Sequence, residues 1–464
     1  MGKKVIVIGA GIAGLTAGIY ARKYGYETLV LERSSRCGGV QGGWDRGGYH
    51  FEGSLHWLIG CKPTKLPITE LYSETAILSS NNPGHFGNPV YGYADEGSMG
   101  AGLEPGPGLW RDIDVLEKEL LAAAPADRRA IKRLVGDIRH LFVPHRLLRL
   151  LFTSTGEYLS QFKDPRLKCL LSNIVHPDHN AFAFIYVLYK FATYDACYTE
   201  GGSSRIIDNM IQRYAELGGE LTLNCEAREI VVRDGKVCGV RTADGFVNAD
   251  AVVVASDTLK AIDNLFAEPI KTSWAEKLRR TTVSEQCVLL CLGVRADLSH
   301  RPEAIQCRLR RPVSVAGELL DTLTVYNYAF CKDYAPDGCT AITVVVHSQS
   351  HGWWESLKAE GRYEAEKRRT IEDVATALSE VLPEISGKVE VTDMTTPLTY
   401  ERYCDTHQGG WMSIWPKGTP PRILPARGPY KGLYFAGERT MICGGIPIAV
   451  QSALRAISAL RKDI

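Results

Sequence analysis

The first apolar run of the chain, Val5-Ile6-Val7-Ile8, is unbroken and β-branched, the pattern of a strand buried on both faces. An alanine-rich stretch of helical period follows to about Lys23, and a second strand pattern runs from Glu27 to Glu32. Between 112 and 170 the apolar positions Ile113, Leu116, Leu120 and Leu121, then Ile131, Leu134, Val135 and Ile138, return at helical spacing. Ile206, Ile207, Met210, Ile211 and Tyr214 mark an amphipathic helix that starts at Gly201-Gly202-Ser203-Ser204 and stops at Gly218-Gly219. Strand patterns then occupy Glu220–Cys225, Glu229–Arg233 and Lys236–Arg241, with hairpin turns at Asp234-Gly235 and Asp244-Gly245. Ala249–Ser256 reads as another buried strand. Further on, 283–294, 321–330 and 340–348 have strand character and Arg362–Leu382 helical character, whereas Pro83–Pro107 carries several glycines and prolines and reads as loop.

Composition narrows the class. The chain has 464 residues, 45% hydrophobic and 23% charged, as in a soluble globular protein of about two or three domains. Its 54 basic and 53 acidic residues leave a net charge of +1, which gives no electrostatic case for a nucleic-acid partner. Thirteen cysteines, an odd count with no CxxC pair, predict reduced thiols in a reducing, cytoplasmic compartment and no metal site. No stretch approaches the ~18 uninterrupted apolar residues of a membrane span, and no small-residue cleavage site follows the N-terminal apolar run. There is no internal repeat.

Two positions change this picture. Gly9-Ala10-Gly11-Ile12-Ala13-Gly14 is GxGxxG between a strand and a helix: Gly9 for the turn, Gly11 for close approach of a pyrophosphate, Gly14 for helix-on-strand packing. Glu32 ends the next strand 18 positions after Gly14, where a carboxylate meets the ribose of a bound dinucleotide. Both point to a dinucleotide at the amino end.

Beyond Glu32 the chain reads Arg33, Arg36, Cys37, Gly38, Gly39 and Val40, then Gly42-Gly43-Trp44 and Gly47-Gly48-Tyr49-His50-Phe51-Glu52-Gly53. Near its end it reads Gly432-Leu433-Tyr434-Phe435-Ala436-Gly437-Glu438 and Gly444-Gly445-Ile446-Pro447-Ile448-Ala449-Val450. These stretches resemble the flavin-dependent phytoene desaturases, carotenoid isomerases and retinol saturases, within the amine-oxidase-like flavoproteins; Tyr49 and Glu52 depart from that family's Phe and Asp. The resemblance implies FAD, with Gly9, Gly11, Ile12, Ala13, Gly14, Glu32, Arg33, Gly38, Gly39 and Val40 at its adenosine and pyrophosphate. It also implies Ala227 at the adenine, Gly437 and Glu438 at the pyrophosphate and ribityl chain, and Gly445, Ile446, Pro447, Ala449 and Val450 by the ring. A helix N-terminus at that last turn would offer unpaired N–H donors to a reduced ring.

The expected fold is α/β: a discontinuous Rossmann-like FAD-binding domain (1–95, 200–275 and 425–464) with an inserted α+β substrate domain (96–199 and 276–424). There is no second GxGxxG after a strand and no redox cysteine pair, so any nicotinamide cofactor must share the same pocket. Flavin chemistry needs positioning more than a nucleophile, and none of G-x-S-x-G, H-E-x-x-H or a kinase signature occurs. His56 is the candidate proton-exchanging residue and Trp57 a candidate wall for a flat apolar substrate; Tyr198, Tyr403 and Asp195 are weaker candidates. The basic and apolar stretch from Ile138 to Phe152 is a candidate membrane-surface segment.

The sequence thus predicts an FAD-dependent oxidoreductase acting on carbon–carbon bonds of a hydrophobic, polyene or isoprenoid substrate, by desaturation, saturation or isomerisation. A flavin amine oxidase and a flavin-free, prenyl-binding escort protein are the competing readings. Oligomeric state and redox direction are not encoded in these motifs.

Overall fold

The computed structural model describes residues 2–54, 56–62, 70–72, 75, 91–94, 112–193, 195–199, 201–441 and 444–464. Five parallel strands form the first sheet, in the order Leu433–Phe435, Ala251–Val254, Lys4–Ile8, Glu27–Leu31, Glu220–Thr222. Alternation within the first strand feeds two cores. Val5 and Val7 join helices Ile12–Lys23, Gly202–Glu216 and Gly445–Asp463 on one face. Ile6 and Ile8 join Ile230, Val237 and Val240 of the antiparallel hairpin sheet on the other. Burial on both faces is what an uninterrupted β-branched run encodes. Gly14 makes the helix-on-sheet packing obligatory: a Cβ there would stand 1.8 Å from the Gly9 carbonyl oxygen.

A second sheet holds seven strands among the described residues, with Ser284–Val294 flanked by Val389–Thr395, Thr340–Ser348 and Met412–Ser413. All eleven residues of Ser284–Val294 are buried. Its even-numbered residues Val288, Leu290 and Leu292 pack with Val374, Leu378 and Val381 of helix Tyr363–Val381. Cys287, Leu289 and Cys291 face the opposite way, toward the core shared with the first sheet. This second sheet therefore presents a wall to the dinucleotide-facing half of the molecule.

Four expectations are modified. Ala304–Val315 is a twelve-residue strand that the pattern did not announce, because the exposed run Arg310-Arg311-Pro312 interrupts its alternation where the register shifts. Tyr91–Ala94 is a strand, and it pairs with Ala304–Val315 of the second sheet rather than belonging with the first; the rest of the Pro83–Pro107 stretch lies outside the described residues, as do Leu55 and Cys443. The helical region 112–170 divides into five helices, Ile113–Ala123, Arg128–Arg139, Pro144–Leu151, Thr155–Leu159 and Pro165–Leu171. Their starts are set by the caps Asp112, Ser154 and Asp164 and by Pro144 and Pro165 in first turns. Lastly, the thiols are not all free: Cys61 and Cys197, 136 positions apart, form a disulfide. Pairing of Leu58–Ile59 with Ala196–Cys197 brings them together, a contact that no local spacing announces, and it removes the thiol argument for a reducing compartment.

Glu52 ties the halves of the molecule together. Fully buried, its carboxylate accepts from Tyr198 Oη at 2.8 Å, from the Ser203 backbone N–H at 2.8 Å, and from the Tyr334 and Ser203 hydroxyls. A buried acceptor removed from four donors strands all of them. Glu52→Ala is therefore expected to lower stability by about 3 kcal/mol or more, measured by denaturant unfolding. An unchanged midpoint would remove Glu52 from this role.

Candidate functional site

Four loops leave the carboxyl ends of adjacent parallel strands and line one cavity of about 1510 Å³. Gly9 follows Ile8, Glu32 follows Leu31, Ala255 follows Val254, and Ala436-Gly437 follows Phe435. Glu32 is nine-tenths buried and closes the first two loops onto each other. One carboxylate oxygen accepts the Ala10 N–H at 2.8 Å and the other the Ser34 N–H at 2.9 Å. The Arg36–Gly39 turn then docks on the glycine loop through Gly38 N–H to the Ala10 carbonyl at 2.9 Å. Helix Ile12–Lys23 begins with no side-chain cap and no acidic residue in its first turn, so its leading N–H groups are left to a ligand in the cavity.

The carboxyl-terminal loop completes the opposite rim. Helix Gly445–Asp463 also starts without a side-chain cap, and Gly445, Ile446, Pro447 and Ala449 line the cavity. Gly437 has φ of +111°, a conformation that side chains resist, and its N–H is held by Ser452 Oγ at 2.8 Å. Beneath it, buried Arg439 pairs with buried Asp257 at 2.6 Å and reaches Ser413 and Ser284 Oγ, each at 3.1 Å. Three chain segments are thus pinned under the rim. Glu438 faces the cavity with Oε2 lacking a hydrogen-bond partner among the described residues, and burial pushes its carboxyl up from the ordinary range against the pull of Arg439.

These residues fit a flavin dinucleotide. The cradle offers uncapped N–H groups at two helix starts, the Glu32 carboxylate at the end of the second strand, and a buried carboxylate oxygen at Glu438 with no hydrogen-bond partner among the described residues. Its volume exceeds the roughly 300–1,000 Å³ of a common ligand pocket, which leaves room for a second molecule. That second half is walled by Trp57, Phe182, Tyr186, Tyr326, Val345 and Trp411.

Most of the predicted positions meet at this cavity: Gly9, Gly11, Ile12, Ala13, Glu32, Arg33, Gly38, Gly39, Val40, Ala227, Gly437, Glu438, Gly445, Ile446, Pro447 and Ala449 all line it, with His56, Trp57 and Tyr403. Gly14 and Val450 do not; the first serves helix packing, and the second is core. Four expectations about chemistry are modified. Tyr198 is enclosed in the Glu52 network, away from the cavity lining. Tyr403 is 55% exposed and stands at the Glu32 end, where its carbonyl accepts from Ser34 Oγ, far from the apolar wall. His56 lies flat on Tyr326, ring centres 3.9 Å apart; burial, aided by His347, holds its pKa at about 3, so it is a neutral ring at physiological pH and not a group that titrates there. Asp195 is structural, binding Lys190 and the Lys62 N–H. Sequence reasoning missed Glu285, His347, His179 and Trp411, which also line the cavity: they come from four distant segments and form no motif.

The fold and this cradle place the chain in a known class. A family model for flavin containing amine oxidoreductases matches residues 12–460, and the chain belongs to that family; it is an FAD-dependent oxidoreductase. It is 24% identical to a phytoene desaturase (lycopene-forming) of Pseudescherichia vulneris, with 100% of both chains covered. It is 25% identical to an all-trans-retinol 13,14-reductase of Rattus norvegicus over 98% of this chain and 85% of that one. Among solved structures, a redesigned putrescine oxidase matches with TM-score 0.67 at 15% identity over 99% of each chain. An oxidoreductase from Methanosarcina mazei matches with TM-score 0.65 at 18% identity, covering 97% of this chain and 99% of that one. At such identities the structural likeness is one of fold.

Glu32→Ala removes the acceptor that orders both loops, and charge-assisted hydrogen bonds contribute about 1.5–3 kcal/mol each. FAD dissociation measured by fluorescence is expected to rise at least about 10-fold; unchanged affinity would contradict the assignment of Glu32.

Proposed function

We propose that this protein adds, removes or shifts carbon–carbon double bonds in a hydrophobic, polyene-like substrate. The observation that carries this reading is the continuity of one cavity from the glycine cradle to a wall of Trp57, Phe182, Tyr186, Tyr326 and Trp411. Rings of this kind pack well on flat conjugated chains. The named relatives, a phytoene desaturase and a retinol reductase, support the same choice. FAD, when bound, supplies the two-electron redox chemistry. The chain's own residues orient the substrate, exclude water and leave neutral groups such as His56 against it.

Family membership favours an enzyme over the flavin-free escort reading. An amine oxidase shares the scaffold, and release of hydrogen peroxide with amines but not polyenes would favour it. The decisive experiment is anaerobic. Photoreduced protein is mixed with all-trans-retinol or a carotenoid, and oxidised protein with phytoene, while the flavin absorption is followed. Reoxidation by a polyene, or bleaching by phytoene, is expected; no spectral response to any of these lipids would defeat the proposal.

The finer part of the proposal is peripheral membrane contact. Among the described residues no helix is long and apolar enough to cross a membrane. Phe142, Leu148 and Phe152 are nevertheless 59%, 59% and 63% exposed, on and beside helix Pro144–Leu151. Arg146 and Arg149 of that helix pair with buried Asp137. Phe142 packs edge-on against Tyr189, ring centres 5.6 Å apart, on the helix whose Phe182 and Tyr186 line the cavity. The apolar patch therefore adjoins the substrate wall, as a lipid entry surface would. Replacing all three by Asp should abolish cosedimentation with phosphatidylglycerol vesicles and leave FAD binding intact. Equal sedimentation of variant and wild type would remove the patch from consideration.

A further inference from the structure

One buried carboxylate and four histidines gather where the second sheet walls the cavity. Glu285 is fully enclosed near the start of Ser284–Val294. His347, on the neighbouring strand, stands opposite Cys287, one diagonal step from Glu285. Glu285 Oε1 lies 3.0 Å from His347 Nδ1, near enough to pair though out of line for a hydrogen bond, and among the described residues neither atom has a hydrogen-bond partner. The other oxygen, Oε2, is 2.8 Å from His179 Nε2. His179 Nδ1 accepts the Trp415 backbone N–H at 3.1 Å, so that nitrogen is bare and the ring proton is on Nε2, donated to Glu285. Burial alone would raise the Glu285 carboxyl, but His179 and His347 together hold it well below the ordinary range.

The neighbouring groups are held uncharged. His176 Nδ1 accepts the Asp178 N–H at 3.2 Å, and burial keeps its pKa at about 4. His56 is neutral for the same reason. Cys287 has its thiol pushed far up by burial. Trp411, with its ring centre 5.8 Å from that of His347, carries no charge. His347 is thus the imidazole in this group with a carboxylate at Nδ1 and, among the described residues, no hydrogen bond at Nε2; it lines the cavity beside Glu285, His56 and Tyr326.

We propose that Glu285 and His347 form the proton-carrying couple of the substrate half of the cavity. His347 Nε2 takes up or delivers a proton at a substrate carbon, and Glu285, oriented by His179, balances the charge on the ring. The proposal rests on the carbon–carbon reading above. Converting a single bond to a double bond removes two protons and two electrons. FAD, when bound, would accept the hydrogen of one C–H bond together with its electron pair. The other breaks so that its electrons become the new π bond and its proton goes to His347 Nε2. Saturation is the reverse and isomerisation needs the proton site alone. Glu285 and His179 are positioning residues; the same contacts would otherwise only pin residues 176–180 to the second sheet.

The test uses Glu285→Gln and His347→Gln in the FAD-loaded protein, each first shown to retain one FAD and an unchanged melting profile. Gln at 285 can still accept from His179, but it turns an N–H toward His347 Nδ1. By ¹⁵N NMR of histidine-labelled protein, the His347 proton should then move from Nδ1 to Nε2. With all-trans-retinol or phytoene as probe, both variants should lose about 100-fold in kcat/KM together with one limb of the wild-type pH profile. An unmoved tautomer overturns the couple whatever the substrate. An active wild type whose variants keep its rate and pH profile overturns the proton role alone. A wild type inert to every polyene overturns the functional reading and this proposal with it.

Discussion

The structure depends on one constraint: the first and last strands of the chain must lie in the same parallel sheet with their carboxyl ends at one edge. Lys4–Ile8 and Leu433–Phe435 flank Ala251–Val254, so loops separated by more than four hundred positions open into one cavity. In parallel α/β sheets the ligand site lies beyond the carboxyl ends because the loops and helix starts converge there with unpaired N–H groups. Here the convergence is enforced by burial of the strands on both faces. A one-residue slip would turn Val5 and Val7 from the helical core into the hairpin core and carry the Ala10 N–H away from the Glu32 carboxylate.

Around that edge, buried carboxylates act as tie points. Glu32 joins two loops of the cradle, Asp257 with Arg439 pins three segments beneath the carboxyl-terminal rim, and Glu52 connects the second glycine turn to Ser203 and Tyr334. Each is satisfied by backbone N–H, hydroxyl or guanidinium groups, which is why charge can be buried there without loss of the fold. Glu438 differs: facing the cavity, with one oxygen lacking a hydrogen-bond partner among the described residues, it is left for a ligand rather than for the fold.

The legible part of this site was the part written in contiguous residues. Gly9 to Gly14, Glu32, Gly38-Gly39 and Gly437 to Ala449 each carry their own local geometry, a turn or a helix start, and so were readable one at a time. The substrate wall was not. Glu285, His347 and Trp411 meet only because of strand pairing between segments that look like ordinary buried β-structure, and the Cys61–Cys197 bond spans 136 positions. Tyr198 and Tyr403 were misplaced because an aromatic residue gives no sign in sequence of which way it faces. The Ala304–Val315 strand was hidden by its exposed run Arg310-Arg311-Pro312, where tertiary packing overrides local pattern.

The central claim is that the amino-terminal cradle holds an adenosine diphosphate moiety while the final turn covers a redox ring, so the site needs both ends of its ligand. Titration calorimetry of flavin-depleted protein measures this directly by comparing FAD with FMN, which lacks the adenosine part. One FAD per chain, bound at least about 100-fold tighter than FMN, is the predicted result. Equal affinity for the two, or no binding of FAD at all, would contradict it.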